Sequence, residues 1–241
     1  MGLAASLFGY RAEEPGTHAS PAEWMAYGKR QFFVGRTKPA IKAFARAAKA
    51  DPTDPLPLAY RSWAARLKDK SRAVADSERA VALNPDCAEA YMSLGLAHAT
   101  HAIRDSDFEH ALLAVRMAKN LPPADAYGSV LSIGVYLLFI DVFASMQEDP
   151  DVSSYDFSAT PLRNAADWLL SGRHVAALNA FDDIADSGRH LLGALGMTAT
   201  YWAMRDIRAA RNYSAVVIES DAVENRGILA AVSNIAVASG Q

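Results

Sequence analysis

Cysteine is almost missing from this chain, since Cys87 is the only one among 241 residues. An intrachain disulfide is therefore impossible, and a thiolate metal cluster would need ligands that the sequence does not contain. The first 20 residues also lack the basic start and the long apolar core of a secretory signal peptide, so 1–20 is predicted to be a mobile lead. These absences predict a cytoplasmic protein.

Long apolar runs are equally scarce. The one candidate membrane span, residues 130–146, is slightly short for a bilayer and contains Asp141. We therefore predict a long, buried, apolar helix and an acidic loop within 124–160, with Asp141 at an exposed edge or hydrogen-bonded. No integral membrane association is expected.

Neither sign of charge dominates, because the formal net charge is only -3, and the composition is 51% hydrophobic against 21% charged. This balance supports a folded core and excludes the polar composition of disordered chains. Alanine is abundant and 17 arginines outnumber 7 lysines, which favours helices and is typical of GC-rich bacterial genomes. The length of 241 residues predicts one large domain or one repeat array.

Catalytic motifs are also missing. The sequence has no Gly-rich phosphate loop, paired-cysteine motif or serine elbow, so we predict no enzyme activity, no catalytic residue and no cofactor. His98 and His101 are spaced to share a helix face near several carboxylates, an arrangement that could hold a divalent ion. Their places at a packing position and in a turn favour structural roles, so no metal site is predicted.

What the sequence does contain is a recurring spacing of aromatic, small and proline residues. Its clearest unit begins at Pro21 and contains Trp24, Gly28, Ala40, Phe44, Ala47 and Pro52. Small residues such as Gly28 and Ala40 let two helices approach closely, and a proline ends the second helix. The offsets recur partially in a second unit (Ala73, Ala80 and Pro85) and a third (Tyr91, Leu94, Gly95, Val115, Ala118 and Pro123).

This spacing resembles the tetratricopeptide repeat, a 34-residue unit of two antiparallel helices. The resemblance implies an all-α fold in which helix pairs stack as a right-handed α-solenoid. It covers three units in 21–123, then, after the interruption at 124–160, two degenerate units in 161–223. Residues 224–241 are expected to form a capping helix.

The two later units are recognised by fewer residues. They fit the first unit less sharply, and their residues are Trp168, Gly172, Ala177, Phe181 and Ile184 in the fourth unit and Met197, Ala209, Tyr213 and Val216 in the fifth. Gly35 and Gly172 stand at the midpoints of their units, where a turn between helices favours a residue that tolerates positive φ.

The resemblance also implies a working surface, because the first helices of such units line a groove that binds peptides. Carried onto this chain, the groove contains Met25, Lys29, Phe32, Phe33, Trp63, Arg66, Met92 and Leu96. Packing between units is the alternative role for Phe32 and Phe33. The implied function is a non-catalytic adaptor that holds a peptide or helix of another protein.

Charge is distributed unevenly along the chain. Residues 21–72 contain 12 Lys or Arg against 4 acidic residues, whereas 73–241 contain 11 against 21. Lys42, Arg46 and Lys49 share one outward stripe on a helix, which is either a solvated face or a second working surface. The acidic remainder argues against nucleic acid as a partner. The basic front and acidic rear leave open a self-assembling scaffold, a homo-oligomer sealed by the apolar last helix.

Overall fold

A computed structural model describes residues 13–16, 18–100, 105–148, 160–220 and 225–239. Within these ranges the fold is all-α, as the sequence predicts. The described helices, numbered in chain order, are α1 (Pro21–Phe33), α2 (Thr37–Ala50), α3 (Leu56–Ala65), α4 (Lys70–Leu83), α5 (Ala88–Ala99), α6 (Asp105–Ala118), α7 (Ala126–Glu148), α8 (Pro161–Leu170), α9 (His174–Asp186), α10 (His190–Ala203), α11 (Ile207–Glu219) and α12 (Arg226–Ala238).

The start of α1 is specified by the sequence Ser20-Pro21-Ala22-Glu23. The Glu23 amide donates to Ser20 Oγ at 3.3 Å, and the Ser20 amide donates to Glu23 Oε2 at 2.8 Å. This reciprocal capping satisfies amides that would otherwise lack partners, and proline fits the first helical turn because it has no amide hydrogen to satisfy.

Two of the short turns that join paired helices contain a glycine with positive φ, as the sequence predicts for Gly35 and Gly172. Their φ values are +79° and +76°, in the region that glycine adopts without a Cβ clash. Gly188 and Arg205 have φ values of 96° and 66° in two further turns. Because the last of these turns uses Arg205, its sequence contains no glycine that would indicate a residue of positive φ.

The predicted small-residue contacts recur through the fold. An alanine in the second helix of each pair is fully buried: Ala40, Ala73, Ala111, Ala177 and Ala210. The prediction for the fifth unit was displaced by one residue, because Ala210, Ser214 and Val217 face inward, whereas Val216 is 54% exposed. The aligned Ala209 and Tyr213 are only partly buried.

Close helix approach at Gly28 is confirmed, although its immediate neighbour is Phe44 instead of Ala40. A Cβ added at Gly28 would lie 2.5 Å from Phe44 Cε1. The Phe44 ring is fully buried. Glycine is therefore required here by space, since any side chain would force α1 away from α2.

The long helix α7 lies among other helices and packs against α5, α8, α10 and α12. Its segment Ala126–Phe143 is long and apolar enough to cross a membrane, but 67% of that segment is buried inside the protein. A helix that packs in the core of the chain passes the same test of length and composition. Asp141 is hydrogen-bonded, as predicted, because Arg189 Nη2 donates to Asp141 Oδ1 at 2.6 Å and Thr160 Oγ1 donates to Oδ2 at 3.2 Å.

The last described helix and the described part of the N-terminal segment also contact other helices. The last helix α12 buries Ile228, Val232 and Ile235 and contacts α7, α10 and α11. Its apolar residues therefore belong mainly to this chain's own core, although Val237 is 65% exposed. In the N-terminal lead, Glu14 contacts α2. Of the acidic loop predicted at 148–158, Glu148 ends α7, and the remaining residues lie outside the described residues.

Candidate functional site

The face predicted to be a peptide groove is filled by the chain itself. All eight predicted groove residues are buried or partly buried, and six are at most 9% exposed: Met25, Lys29, Trp63, Arg66, Met92 and Leu96. Phe32 and Phe33 pack against the same core. In the described structure the rear helices therefore occupy the space that a partner segment would need, and peptide binding by these residues stays a prediction.

Direct hydrogen bonds join the front helices to the α8–α9 turn. Trp63 Nε1 donates to the Leu170 carbonyl oxygen at 3.1 Å, and Arg66 Nη2 donates to Ser171 Oγ at 3.1 Å. These contacts span more than 100 residues of sequence. Trp63 is 1% exposed and forms part of the core, so in the described structure it packs within the chain.

Aromatic rings fill the space beside these hydrogen bonds. The Phe33 ring lies edge-to-face with Trp63, Tyr127 and Trp202, at centroid distances of 5.7, 5.0 and 6.2 Å. Such edge contacts add stabilisation beyond the area that the rings bury. The aromatic residues of α1 and α3 therefore join the front helices to α7 and α10.

A charged network links α1 to the start of α7. Lys29 Nζ lies 2.5 Å from Asp125 Oδ2, and Tyr60 Oη donates to Asp125 Oδ1 at 3.1 Å. Asp125 also caps α7, since the Gly128 amide donates to its Oδ1 at 2.9 Å. Burial raises the pKa of Asp125, but the Lys29 charge and these hydrogen bonds outweigh it, so the pKa is lowered overall.

Glu89 lies next to this network, but the pKa of its carboxyl group shifts in the opposite direction from that of Asp125. The Ala124 amide donates to Glu89 Oε1 at 2.6 Å, which ties α5 to the segment before α7. Burial raises the pKa of Glu89 despite that hydrogen bond. Sequence reasoning missed Asp125. The available signal was an aspartate one residue before an apolar helix, a position typical of an N-cap.

The predicted basic stripe, unlike the predicted groove, is accessible to solvent. The side chains of Lys42 and Arg46 are 61% and 38% exposed, and Lys49 is exposed one turn further on. Arg46 also lies over the Trp24 ring, with its guanidinium carbon 4.3 Å from the ring centroid. The indole fixes the position of one charge in the stripe.

An acidic side chain of the chain's own N-terminal segment occupies this stripe. Glu14 Oε1 accepts hydrogen bonds from Arg46 Nη1 at 2.8 Å and from Lys42 Nζ at 3.3 Å. A depression of about 290 Å³ lies beside Glu14 and is lined also by Trp24, Tyr27, Lys38, Pro39, Lys42 and Ala43. The stripe therefore already accommodates a carboxylate delivered by a non-helical segment.

Of the two histidines considered as a metal site, His98 is described and His101 lies outside the described residues. The rings of His98 and His110 lie 5.2 Å apart between centroids. Burial and then the nearby His110 lower the pKa of His98. Among the described residues, no group of three His, Cys, Asp or Glu side chains is placed to hold a metal ion.

Buried Cys87 has its thiol 3.7 Å from Glu89 Oε2, and burial raises the pKa of the thiol to about 12. A thiol of such high pKa is a poor nucleophile at neutral pH.

Comparison with known proteins adds no relative to this picture. No protein-family model matches the chain, and a search of curated proteins finds no match.

Proposed function

We propose that this protein is a non-catalytic cytoplasmic adaptor that holds an acidic segment of a partner protein on the outer face of α2. The observation that carries this proposal is the contact of Glu14 with both Lys42 and Arg46. One carboxylate of the chain's own N-terminal segment already binds there. A partner segment with several carboxylates would make the same contacts and extend them to Lys49 and Lys38.

The proposal includes a tetratricopeptide-type scaffold, a right-handed α-solenoid that presents α2 as an outer helix. Its support is the recurring buried alanine of successive helix pairs together with the turns of positive φ at Gly35 and Gly172. In this arrangement the small residues determine the packing, and the outward positions are free to differ in charge.

The outer stripe is a better working surface than the face of the first helices because its side chains are accessible. Trp63, Arg66 and Met92 are at most 3% exposed, and a partner reaching them would have to displace α7 and α8. Such displacement would expose a large apolar area to water, and this exposure costs about 25 cal/mol of free energy for each Å². Binding at Lys42 and Lys49 requires only that Glu14 move away.

Exposed ion pairs contribute little individually, up to about 1 kcal/mol each, and salt screens them. A single carboxylate would therefore bind too weakly to act as a ligand, whereas a segment with several would engage the whole stripe. We expect binding to depend on the number of acidic residues in the partner and to weaken steeply as the salt concentration rises.

The experiment measures binding of a hexaglutamate peptide to the full chain at low salt, with hexaglutamine as the neutral peptide. The variant Lys42→Glu/Lys49→Glu reverses two exposed charges and keeps Arg46, which packs on Trp24. We expect hexaglutamate to bind the natural chain and to lose at least about ten-fold in affinity, equivalent to about 1.4 kcal/mol, in the variant.

The matched control is Arg208→Glu/Arg211→Glu, which makes the same charge change at two exposed positions of α11. It should leave hexaglutamate binding within about two-fold of the natural chain, because only long-range, screened electrostatics are altered. Equal losses in the two variants would show that net charge, and not the α2 stripe, determines binding, and the proposal would fail.

Self-assembly is the second candidate, and one observation favours it. The outer face of α9 exposes Asp182, Asp183 and Asp186, so it could meet the basic face of α2 in another copy. Mass measurement in solution across salt concentrations separates the candidates, because a charge-driven oligomer should dissociate as screening rises. Asp183→Lys/Asp186→Lys should abolish such an oligomer but leave hexaglutamate binding unchanged.

A further inference from the structure

A small cavity lies where the end of α3 meets the turn between α8 and α9. Its volume is about 100 Å³, and its polar lining is Thr37, Arg66, Lys68, Ser171 and His174. No described residue that lines it is Asp or Glu. The cavity therefore combines cationic and neutral polar groups without an internal counter-charge.

Arg66 is the unusual member of this lining. It is 3% exposed, and no described carboxylate lies within 4 Å of its guanidinium. Nη1 donates to the Trp63 carbonyl oxygen at 3.1 Å and Nη2 donates to Ser171 Oγ at 3.1 Å, while buried Nε has no hydrogen-bond partner. Burying a cation without an anion is strongly unfavourable, so this arrangement needs compensation.

The chain supplies only indirect compensation. Ser171 Oγ lies 3.5 Å from Asp167 Oδ1, so the nearest carboxylate reaches Arg66 through a hydroxyl group. Burial lowers the pKa of Arg66 to about 10, which still leaves the guanidinium protonated at neutral pH. The positive charge is therefore present and under-compensated. Nε is also buried without a hydrogen-bond partner within the protein.

We propose that this cavity binds a small monovalent carboxylate, with the carboxylate oxygens at Arg66 and a short apolar tail against Phe32, Trp63 and Leu170. A guanidinium binds carboxylates through charge-assisted hydrogen bonds in the geometry of its planar fork. At about 30 Å³ per water molecule, the cavity holds the equivalent of about three waters, which matches an acid of about three carbons.

The composition of the walls favours a carboxylate over inorganic phosphate. A phosphate carries up to two charges and needs many donors, whereas the cavity offers one buried cation and the exposed Lys68. The adjacent aromatic and aliphatic side chains would be poor neighbours for a fully polar anion. They are suitable neighbours for the hydrocarbon part of an organic acid. This site is independent of the adaptor surface on α2.

The test titrates the full chain with sodium propionate at pH 7 and constant ionic strength, using chloride as the replaced anion. The readouts are the heat of binding and the arginine Nε–H signals in a nitrogen-15 spectrum. We expect one saturable site per chain and a shift of the Arg66 signal. Arg66→Lys identifies that signal by its absence, and Ser171→Ala identifies it by displacement should the lysine variant not fold.

A second variant blocks the cavity without touching Arg66. Leu67 lines the cavity and is 52% exposed, so Leu67→Trp should cover its mouth and weaken propionate binding at least ten-fold. Leu113→Trp places the same side chain at a 58% exposed position of α6 and should leave binding unchanged.

Three results would overturn the proposal. Phosphate binding more tightly than propionate would assign the cavity to an inorganic anion. The absence of saturable binding below about 50 mM would exclude a carboxylate site, and binding that leaves Arg66 Nε unshifted or Leu67→Trp unaffected would place the anion elsewhere. None of these results bears on the adaptor proposal, whose test uses other residues.

Discussion

The helix pairs α1–α2 and α8–α9 bury equivalent residues, but their exposed faces carry different charges. Both turns contain a glycine of positive φ followed by arginine, and the second helices bury equivalent residues: Ala40, Phe44 and Ala47 in the front pair, and Ala177, Phe181 and Ile184 in the rear pair. Outward positions carry opposite charge, because Arg46 and Lys49 correspond to Asp183 and Asp186.

The comparison separates two kinds of constraint. Inward positions are restricted by packing, so the same small and aromatic residues return in both pairs. Outward positions contribute little to stability, so they are free to acquire charge of either sign. The difference between the two faces is therefore the place to look for function, and the shared interior is the place to test the fold.

The largest expected effect comes from the shared interior. Gly28→Leu would place side-chain atoms where Phe44 lies, since even a Cβ would be 2.5 Å from the ring. The equivalent rear residue is Ala165, so the front pair is the one that requires a glycine. We expect a loss of at least about 3 kcal/mol, or failure to fold, measured by denaturant unfolding.

The control for this substitution is Gly16→Leu. A Cβ at Gly16 has no atom within 4 Å, so stability should stay within about 0.5 kcal/mol of the natural chain. Equal losses in both variants would mean that leucine acts through the unfolded chain and not through the contact with Phe44.

The spacing of residues within each repeat predicted the packing inside a helix pair, but it did not predict contacts between residues that are distant in sequence. Gly28, Gly35 and Ala177 were identified because each satisfies a requirement of its own helix pair. The register of the fifth unit was wrong by one residue because its turn uses Arg205, which gives no glycine signal, and because Ala209 and Ala210 are adjacent. The filling of the face around Trp63 depends on contacts across more than 100 residues, which no repeat spacing encodes.

The second prediction uses two neighbouring carboxylates that respond oppositely to pH. The lowered pKa of Asp125 gives stability that is present above the unfolded value of about 4 and is lost as pH falls through the folded value. The raised pKa of Glu89 gives the reverse, a penalty that is absent at low pH and grows as pH rises from about 4 through the folded value.

Asp125→Asn should therefore lose about 1–2 kcal/mol at pH 7, less than for a fully buried pair because the Asp125 side chain is 38% exposed. Glu89→Gln keeps an acceptor for the Ala124 amide and should match or exceed the natural stability at pH 7. The free energy of unfolding should be measured from pH 3 to pH 8. The difference between each variant and the natural chain should become smaller at the acidic end. A Glu89→Gln variant that is less stable at pH 7 would contradict this interpretation.

A smaller effect tests the equivalence of the two turns. Gly35→Ala and Gly172→Ala each place a Cβ on backbone of positive φ, where no neighbouring atom lies within 4 Å of the added carbon. Each should lose about 1 kcal/mol through backbone strain alone, and the double variant should lose about the sum, because the sites are independent. Strongly unequal decreases in the thermal midpoints of the two variants would show that the two turns contribute differently to stability.

The smallest expected effect on stability concerns the charged exterior. Glu14→Gln removes the carboxylate that contacts Lys42 and Arg46, both of which are substantially exposed. Ion pairs of this kind contribute little, so the free energy of unfolding should change by less than about 0.5 kcal/mol. Binding should change more, because the natural chain must release Glu14 before an acidic ligand can occupy the stripe. We expect hexaglutamate affinity to rise by up to about five-fold, equivalent to about 1 kcal/mol.

The matched variant is Glu13→Gln, which removes the same charge from the adjacent exposed residue. Because the described contacts to Lys42 and Arg46 come from Glu14, Glu13→Gln should raise affinity only through weakened long-range repulsion, which salt screens. A gain specific to Glu14→Gln that disappears in Lys42→Glu/Lys49→Glu would identify Glu14 as a competitor for the α2 stripe. Equal gains in the two glutamine variants would instead mean that Glu14 does not occupy the ligand's place, and the intrachain contact would lose its value as a model of partner binding.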